Sequence, residues 1–331
     1  MGSYPDTLSS MWLLANCYQD AGRIDEAVSL AEQAQKLTKA KMGPEHPDTL
    51  MSMRVLGDAY WHAGRLNDAL PLLEEVLKLE KAKLGLEHPD TLAMMGILGG
   101  VYWHAGRLNE ALPLLEEALK LQKAKRGPEH PDALVLMHEL AEAYIAADRR
   151  AEALPMLEET HKLRKAKQGP EHLDTLETLE TMDDLAAAYL HANRLADAES
   201  LARDCSAIRE KKRPDDWRTF NTRSVLGSVL LAQKKYAEAE PLLVSGYEGL
   251  RDRIAKVPAF DKPRLKDAVQ RLMQLYEAIN QPEKAAAWNA KLAEFDRANP
   301  AAPKQDTPQT KKADSATETK PASPATNTSD K

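Results

Sequence analysis

One hexapeptide, close to Gly-Pro-Glu-His-Pro-Asp, returns at a fixed period and constrains what this chain can fold into. Gly43, Gly85, Gly127 and Gly169 lie 42 residues apart, followed by His46, His88, His130 and His172 and then Asp48, Asp90, Asp132 and Asp174. Tyr18, Tyr60, Tyr102 and Tyr144 keep the same period, and Tyr189 comes three residues late because "LETLETMDD" carries an extra triplet. The stretch "AYWHAGRLNDALPLLEE" (59–75) returns as "VYWHAGRLNEALPLLEE" (101–117). A period in this range builds a stack of like units, each burying a face against the next, rather than one globular core.

Each unit reads as two helices. In the second, a first helix runs from about Pro47 to Ala63, with Leu50, Met53, Leu56 and Tyr60 on its apolar face. It stops at Gly64, since helices commonly end on a left-handed residue. The corresponding positions carry Gly22, Gly106, Asp148 and Asn193, all tolerant of that conformation. Lys234 is not, so the sixth unit is expected to turn differently. The second helix follows with Leu66, Ala69, Leu70, Leu73, Val76 and Leu77 at helical spacing. Pro71, Pro113, Pro155 and Pro241 sit early in it, near the limit where a missing N–H is tolerated, which predicts a loosened first turn.

The spacing Leu56-Gly57-x-x-Tyr60, Ala69, Leu73, Val76 resembles the tetratricopeptide repeat, and Leu98, Gly99, Tyr102, Ala111, Leu115 and Ala118 match it more closely. A standard repeat is about 34 residues. The longer period and its GPEHPDTL connector resemble the kinesin light chain type of that repeat, strongly over residues 4–210 and more loosely over 215–297. Residues 215–243 further resemble the C-terminal repeat region of multidomain bacterial serine/threonine kinases. The resemblance implies an all-α, right-handed solenoid of about seven helix-turn-helix repeats. Five kinesin-light-chain-type repeats are expected over 1–210 and two divergent ones over 211–298. The tail 299–331, rich in Pro, Thr, Ser and Lys and without Leu, Ile, Val or an aromatic residue, is expected to be disordered. Because Tyr4-Pro5-Asp6-Thr7 occupies the place of His46-Pro47-Asp48-Thr49, the chain starts at a repeat boundary, and an uncapped or truncated array is expected.

Composition removes several functional classes. The net charge is −6, with basic and acidic residues interleaved, which argues against a nucleic-acid surface. No signal peptide and no apolar run of about 18 residues occurs, so no membrane partner is expected and a cytoplasmic location is the default. Cys17 and Cys205 stand far apart at positions of small packed residues, which predicts buried free thiols.

No catalytic motif survives inspection. The four connector histidines fall on successive units, so they read as helix starts rather than metal ligands: Pro suits the first helical position and Asp the positive end of the dipole. "MHELAEAY" fails as a zinc-protease helix because Glu142 stands where the second His is required. Phosphate loops, nucleophile elbows and kinase catalytic signatures are missing. No cofactor, no metal and no enzymatic activity are expected.

The family resemblance implies ligand binding along the concave row of first helices. Its groove positions carry Trp61, Trp103, Ile145 and Leu190, then His62, His104 and His191, then Arg54 and His138. Trp61 and Trp103 are the expected anchors, because Trp combines an apolar body with a hydrogen-bond donor. Their alternative role is packing between repeats. The Lys/Asn clamp of chaperone-tail binders and the paired Asn of kinesin light chains are both missing, so neither specificity carries over. The expected function is a non-catalytic protein-interaction scaffold that binds a peptide or helix. The alternatives are a detached regulatory region of a kinase signalling system, or self-association through the uncapped first repeat.

Overall fold

The computed structural model describes residues 4–168 and 175–298. The expectations on Gly169, His172, Asp174 and the tail 299–331 lie outside the described residues. Among the described residues fourteen α-helices follow in consecutive packed pairs: α1 (Tyr4–Asp20) and α2 (Ile24–Met42), α3 (Pro47–His62) and α4 (Leu66–Leu84), α5 (Pro89–His104) and α6 (Leu108–Arg126), α7 (Pro131–Ala146) and α8 (Arg150–Gln168). The series continues with α9 (Leu176–His191) and α10 (Leu195–Lys212), α11 (Trp217–Ala232) and α12 (Tyr236–Asp252), α13 (Pro263–Ala278) and α14 (Pro282–Ala298). Odd-numbered helices also touch one another, α1 on α3, α5 on α7, and α9 and α13 on α11, which makes them the inner row of an all-α solenoid.

The connectors explain the period. His46, His88 and His130 are themselves the caps of α3, α5 and α7: each Nδ1 accepts the backbone N–H two residues on, from Asp48, Asp90 and Asp132 at 3.2 to 3.3 Å. Pro follows at the first helical position, where it has no N–H to lose. Asp216 takes over the same duty at α11, accepting from Arg218 N–H at 2.9 Å, and Thr175 caps α9.

The turn inside each pair is the same in all seven units, including the sixth. Lys234 has φ of 62°, beside 74° at Gly64, so the expectation of a different turn is corrected. Two backbone bonds hold it there, Lys234 N–H to Leu231 O and Lys235 N–H to Leu230 O, both 2.9 Å. They match the bonds of Gly64 and Arg65 and offset the roughly 1–2 kcal/mol that a left-handed L-residue costs. The proline expectation is also corrected. The first turns of α4, α6, α8 and α12 are tightened, not loosened: Asp68, Glu110, Glu152 and Glu238 each donate to the cap carbonyl three residues back, at 3.0 to 3.1 Å, beside the ordinary bond from the next residue.

Packing within a pair relies on close approach. A Cβ on Gly57 would stand 2.3 Å from Leu73, and one on Gly99 would stand 2.5 Å from Leu115, so the leucine of the second helix fills the space that glycine leaves. Between pairs, a polar clip recurs on the surface. The Tyr60, Tyr102 and Tyr144 hydroxyls donate to Glu32, Glu74 and Glu116 of the preceding unit at 2.8 to 2.9 Å, while Arg65, Arg107 and Arg149 cover the tyrosine rings at 4.2 to 4.5 Å. Cys205 is buried as expected. Cys17 is exposed, because α1 has α2 and α3 on one side and no neighbour on the other among the described residues, whereas its counterpart Ala59 is fully covered.

Between α12 and α13 the repeat is interrupted. Residues 253–262 replace the short connector and form two single 3₁₀ turns, Ile254–Lys256 and Ala259–Asp261. This segment crosses to the other end of the array and meets α3.

Candidate functional site

The inner row lines a concave lumen, a cavity of about 620 Å³ bounded by residues of α3, α5, α7, α9 and α11 and by the crossing segment. Six of the nine candidate residues face it: Trp61, His62, Trp103, His104, His138 and Ile145. His191 lies with Ile145 on an adjoining cavity of about 360 Å³ among α7, α9, α11 and α13. Arg54 and Leu190 border neither. Arg54 instead rests on Met51, with Nη2 3.0 Å from the sulfur, and lies in the field of Glu80 on α4.

The second and third repeats and the crossing segment build an aromatic cage. Trp61 is half-buried, its edge over Gly100 of α5, where a Cβ would come within 3.6 Å of the ring. Its exposed face carries Phe260 from the crossing segment, with ring centroids 4.8 Å apart and planes 25° from parallel. The rings of His62 and His104 meet Phe260 edge-on at 5.2 and 4.8 Å. Trp61 therefore does both things weighed from the sequence: one side packs between repeats and the other lines the lumen.

Local bonds orient the two histidines. His62 Nδ1 donates to Asp58 O at 3.0 Å, and Gln19 of the first repeat donates to Asp58 Oδ2 at 2.8 Å. His104 Nδ1 donates to Gly100 O at 2.8 Å, and its ring lies against Trp103 with centroids 3.5 Å apart. Burial pushes the His104 imidazole down to about 4, so it is neutral near pH 7. His104 brings no charge to the cage there, and the rings around Phe260 offer stacking and edge contacts to an apolar, aromatic guest.

The opposite wall is charged. His138 Nε2 donates to Asp184 at 2.8 Å, and Arg264 of α13 stands 4.0 Å from the same carboxylate. Burial alone would lower the His138 pKa, but Glu142 and Asp184 outweigh it and hold it up at about 9. Burial raises Glu139 and Glu142, whereas the bond from His138 keeps Asp184 ionised. Ligand atoms of His138, Glu142 and Asp184 lie within 4.8 Å of one another, the spacing of a small metal set. Here His138 Nε2 is bonded to Asp184, and the Arg264 guanidinium stands beside the same carboxylate. The electrostatics are those of an ion-pair network. Behind it, Asp183 binds the buried Arg209 at 3.2 Å and accepts from the Thr222 hydroxyl at 2.8 Å.

Sequence reasoning missed Phe260, Arg264 and the acidic wall of Glu139, Glu142 and Asp184. Phe260 carried a signal, one of three phenylalanines in the chain, set between Pro258 and Pro263 in a connector that departs from the repeat.

Comparison with known proteins agrees with this architecture. Family profiles described as tetratricopeptide repeat match residues 6–82, 90–166 and 178–216. A solved structure of putative kinesin light chain nearly identical TPR-like repeats from Podosopora anserina is 33% identical, with TM-score 0.52, over 65% of this chain and 100% of that one. The chain belongs to the tetratricopeptide-repeat family, with repeats of the kinesin light chain type. Two further structures share the fold at lower identity. BtubC (BKLC) from P. vanneervenii is 17% identical with TM-score 0.53 over 75% of this chain and 92% of that one. NprR in complex with its cognate peptide NprX is 16% identical with TM-score 0.57 over 88% of this chain and 79% of that one. No curated protein sequence matches. The matching family profiles are repeats, not catalytic domains. No helix among the described residues is long and apolar enough to cross a membrane.

Proposed function

We propose that this protein is a non-catalytic interaction scaffold that takes a peptide or helix of a protein partner into its concave lumen, with Trp61 and Trp103 as anchors. The observation that carries this reading is the convergence of Trp61, His62, Trp103, His104, His138 and Ile145, from three successive repeats, on one cavity. One wall offers aromatic surface and the other fixed charge, which is the mixture that orients a peptide. That NprR shares the fold and is seen with a peptide supports the same use of a solenoid. The test is quantitative capture of partners from the native lysate by wild type and by Trp61→Ala/Trp103→Ala, after equal helicity and melting are established. Partners that drop out with the double variant support the reading. An unchanged partner set contradicts it.

A second reading has one observation in its favour. Leu13 is 66% and Leu14 44% exposed on the open side of α1, so this edge can pair with another copy. Sedimentation across a dilution series tests it, and a monomer at every concentration removes it.

A further inference from the structure

The cage at Trp61 is filled by the chain itself. At 43–46, 85–88, 127–130 and 213–216 the second helix of one pair reaches the first helix of the next through a short turn, but residues 253–262 make an excursion. Its root is fixed in the sixth and seventh repeats: Val257 is buried with Trp217, Leu250 and Ala268. Its tip lies against the first two repeats. A Cβ on Gly22 would fall 2.9 Å from Lys256 Cα, and one on Gly64 would fall 2.8 Å from Ala259 Cβ. The equivalent Gly106 has nothing within 4 Å, so this closeness belongs to the segment and not to the turn.

The tip is held by side chains. Its backbone bonds close within the segment, Lys256 N–H to Arg253 O, Val257 N–H to Ile254 O and Asp261 N–H to Pro258 O. What joins it to the cage is the Phe260 ring on Trp61, His62 and His104. Beside it, Asp261 accepts from Arg264 Nε at 2.6 Å. An aromatic residue followed by an acidic one is thus the pattern that the cage and Arg264 accommodate together.

We propose that residues 253–262 are an intramolecular ligand of the groove, and that a partner enters by presenting an aromatic residue followed by an acidic one in place of Phe260 and Asp261. This rests on the groove reading above and adds to it the chemistry of the partner and the reason for a threshold. A tethered occupant competes at high effective concentration, so the apparent affinity of any partner is divided by the fraction of molecules in which the cage is open.

The probe is a fluorescent peptide with the sequence of residues 253–264, titrated into the full chain. Wild type should bind it weakly and Phe260→Ala at least about tenfold more tightly, because the occupant has lost its anchor. Replacing Phe by Ala in the peptide, or Trp61 by Ala in the Phe260→Ala protein, should remove the gain. A second variant, Ala259→Glu, drives a longer side chain into the Gly64 turn and should open the cage with Phe260 still in the chain. Equal binding by all proteins, or binding that survives Trp61→Ala, overturns the proposal. So does a Trp61-dependent wild-type dimer, which would place the segment in a second copy. If Phe260→Ala changes nothing while Trp61→Ala/Trp103→Ala still loses partners, the groove reading stands and this one falls.

Discussion

Asp183 and Arg209 form an ion pair with no exposure to solvent on the arginine, 3.2 Å apart between α9 and α10. Thr222 from α11 closes the same carboxylate, so three consecutive helices meet at one charge. Burial pushes the Asp183 pKa up, while Arg209 and Thr222 act against the rise. Asp183→Ala leaves a buried guanidinium uncompensated and is expected to cost about 3–5 kcal/mol. Asp183→Leu/Arg209→Met, which removes both charges, should recover most of that. Urea unfolding of the two variants checks it, and equal losses would show that the pair is not the source.

The His138 imidazole faces Glu142 on its own helix, Asp184 on α9, and the positive Arg164 and Arg264. Its folded pKa of about 9 lies above the unfolded value near 6.5, so its contribution to stability is complete below pH 6.5 and is lost as pH rises to 9. His104 has the opposite sign. Its folded pKa of about 4 makes stability present above pH 6.5 and lost as pH falls toward 4. NMR titration of the two imidazoles checks both directions, and Asp184→Asn should bring His138 down by about one unit or more. An unmoved His138 would contradict the assigned partner.

Histidine as a helix cap is a further expectation with a built-in control. His88→Ala should cost about 1 kcal/mol of stability, while His88→Asp should cost little, since Asp216 caps α11 in the same geometry. Thermal melts of the two variants decide it. Equal losses would mean that the His88 ring acts through some other contact.

These residues also show what could be read in advance. The 42-residue period gave the helix pairs, the turns and the concave row, because caps, left-handed turns and apolar faces are local properties. His-Pro-Asp was legible as a helix start, though the capping atom is the histidine ring. Lys234 misled because residue type is weighed without the two backbone bonds that hold its turn. Cys17 misled because burial depends on a neighbouring repeat, not on the residue. The cage was half-legible: Trp61, His62 and His104 follow from their groove positions, whereas Phe260 arrives from another repeat by way of the superhelical curvature, which no local pattern encodes.

The most direct measurement of the groove as the working surface is site-specific photo-cross-linking in the native lysate, with benzoylphenylalanine in place of Ile145 in the lumen or of Lys120 on the exposed face of α6. The account predicts discrete partner adducts from position 145 that are lost in the Trp61→Ala/Trp103→Ala background, and none from position 120. Adducts from position 120 with none from 145 would contradict it and move the working surface to the outer row of helices.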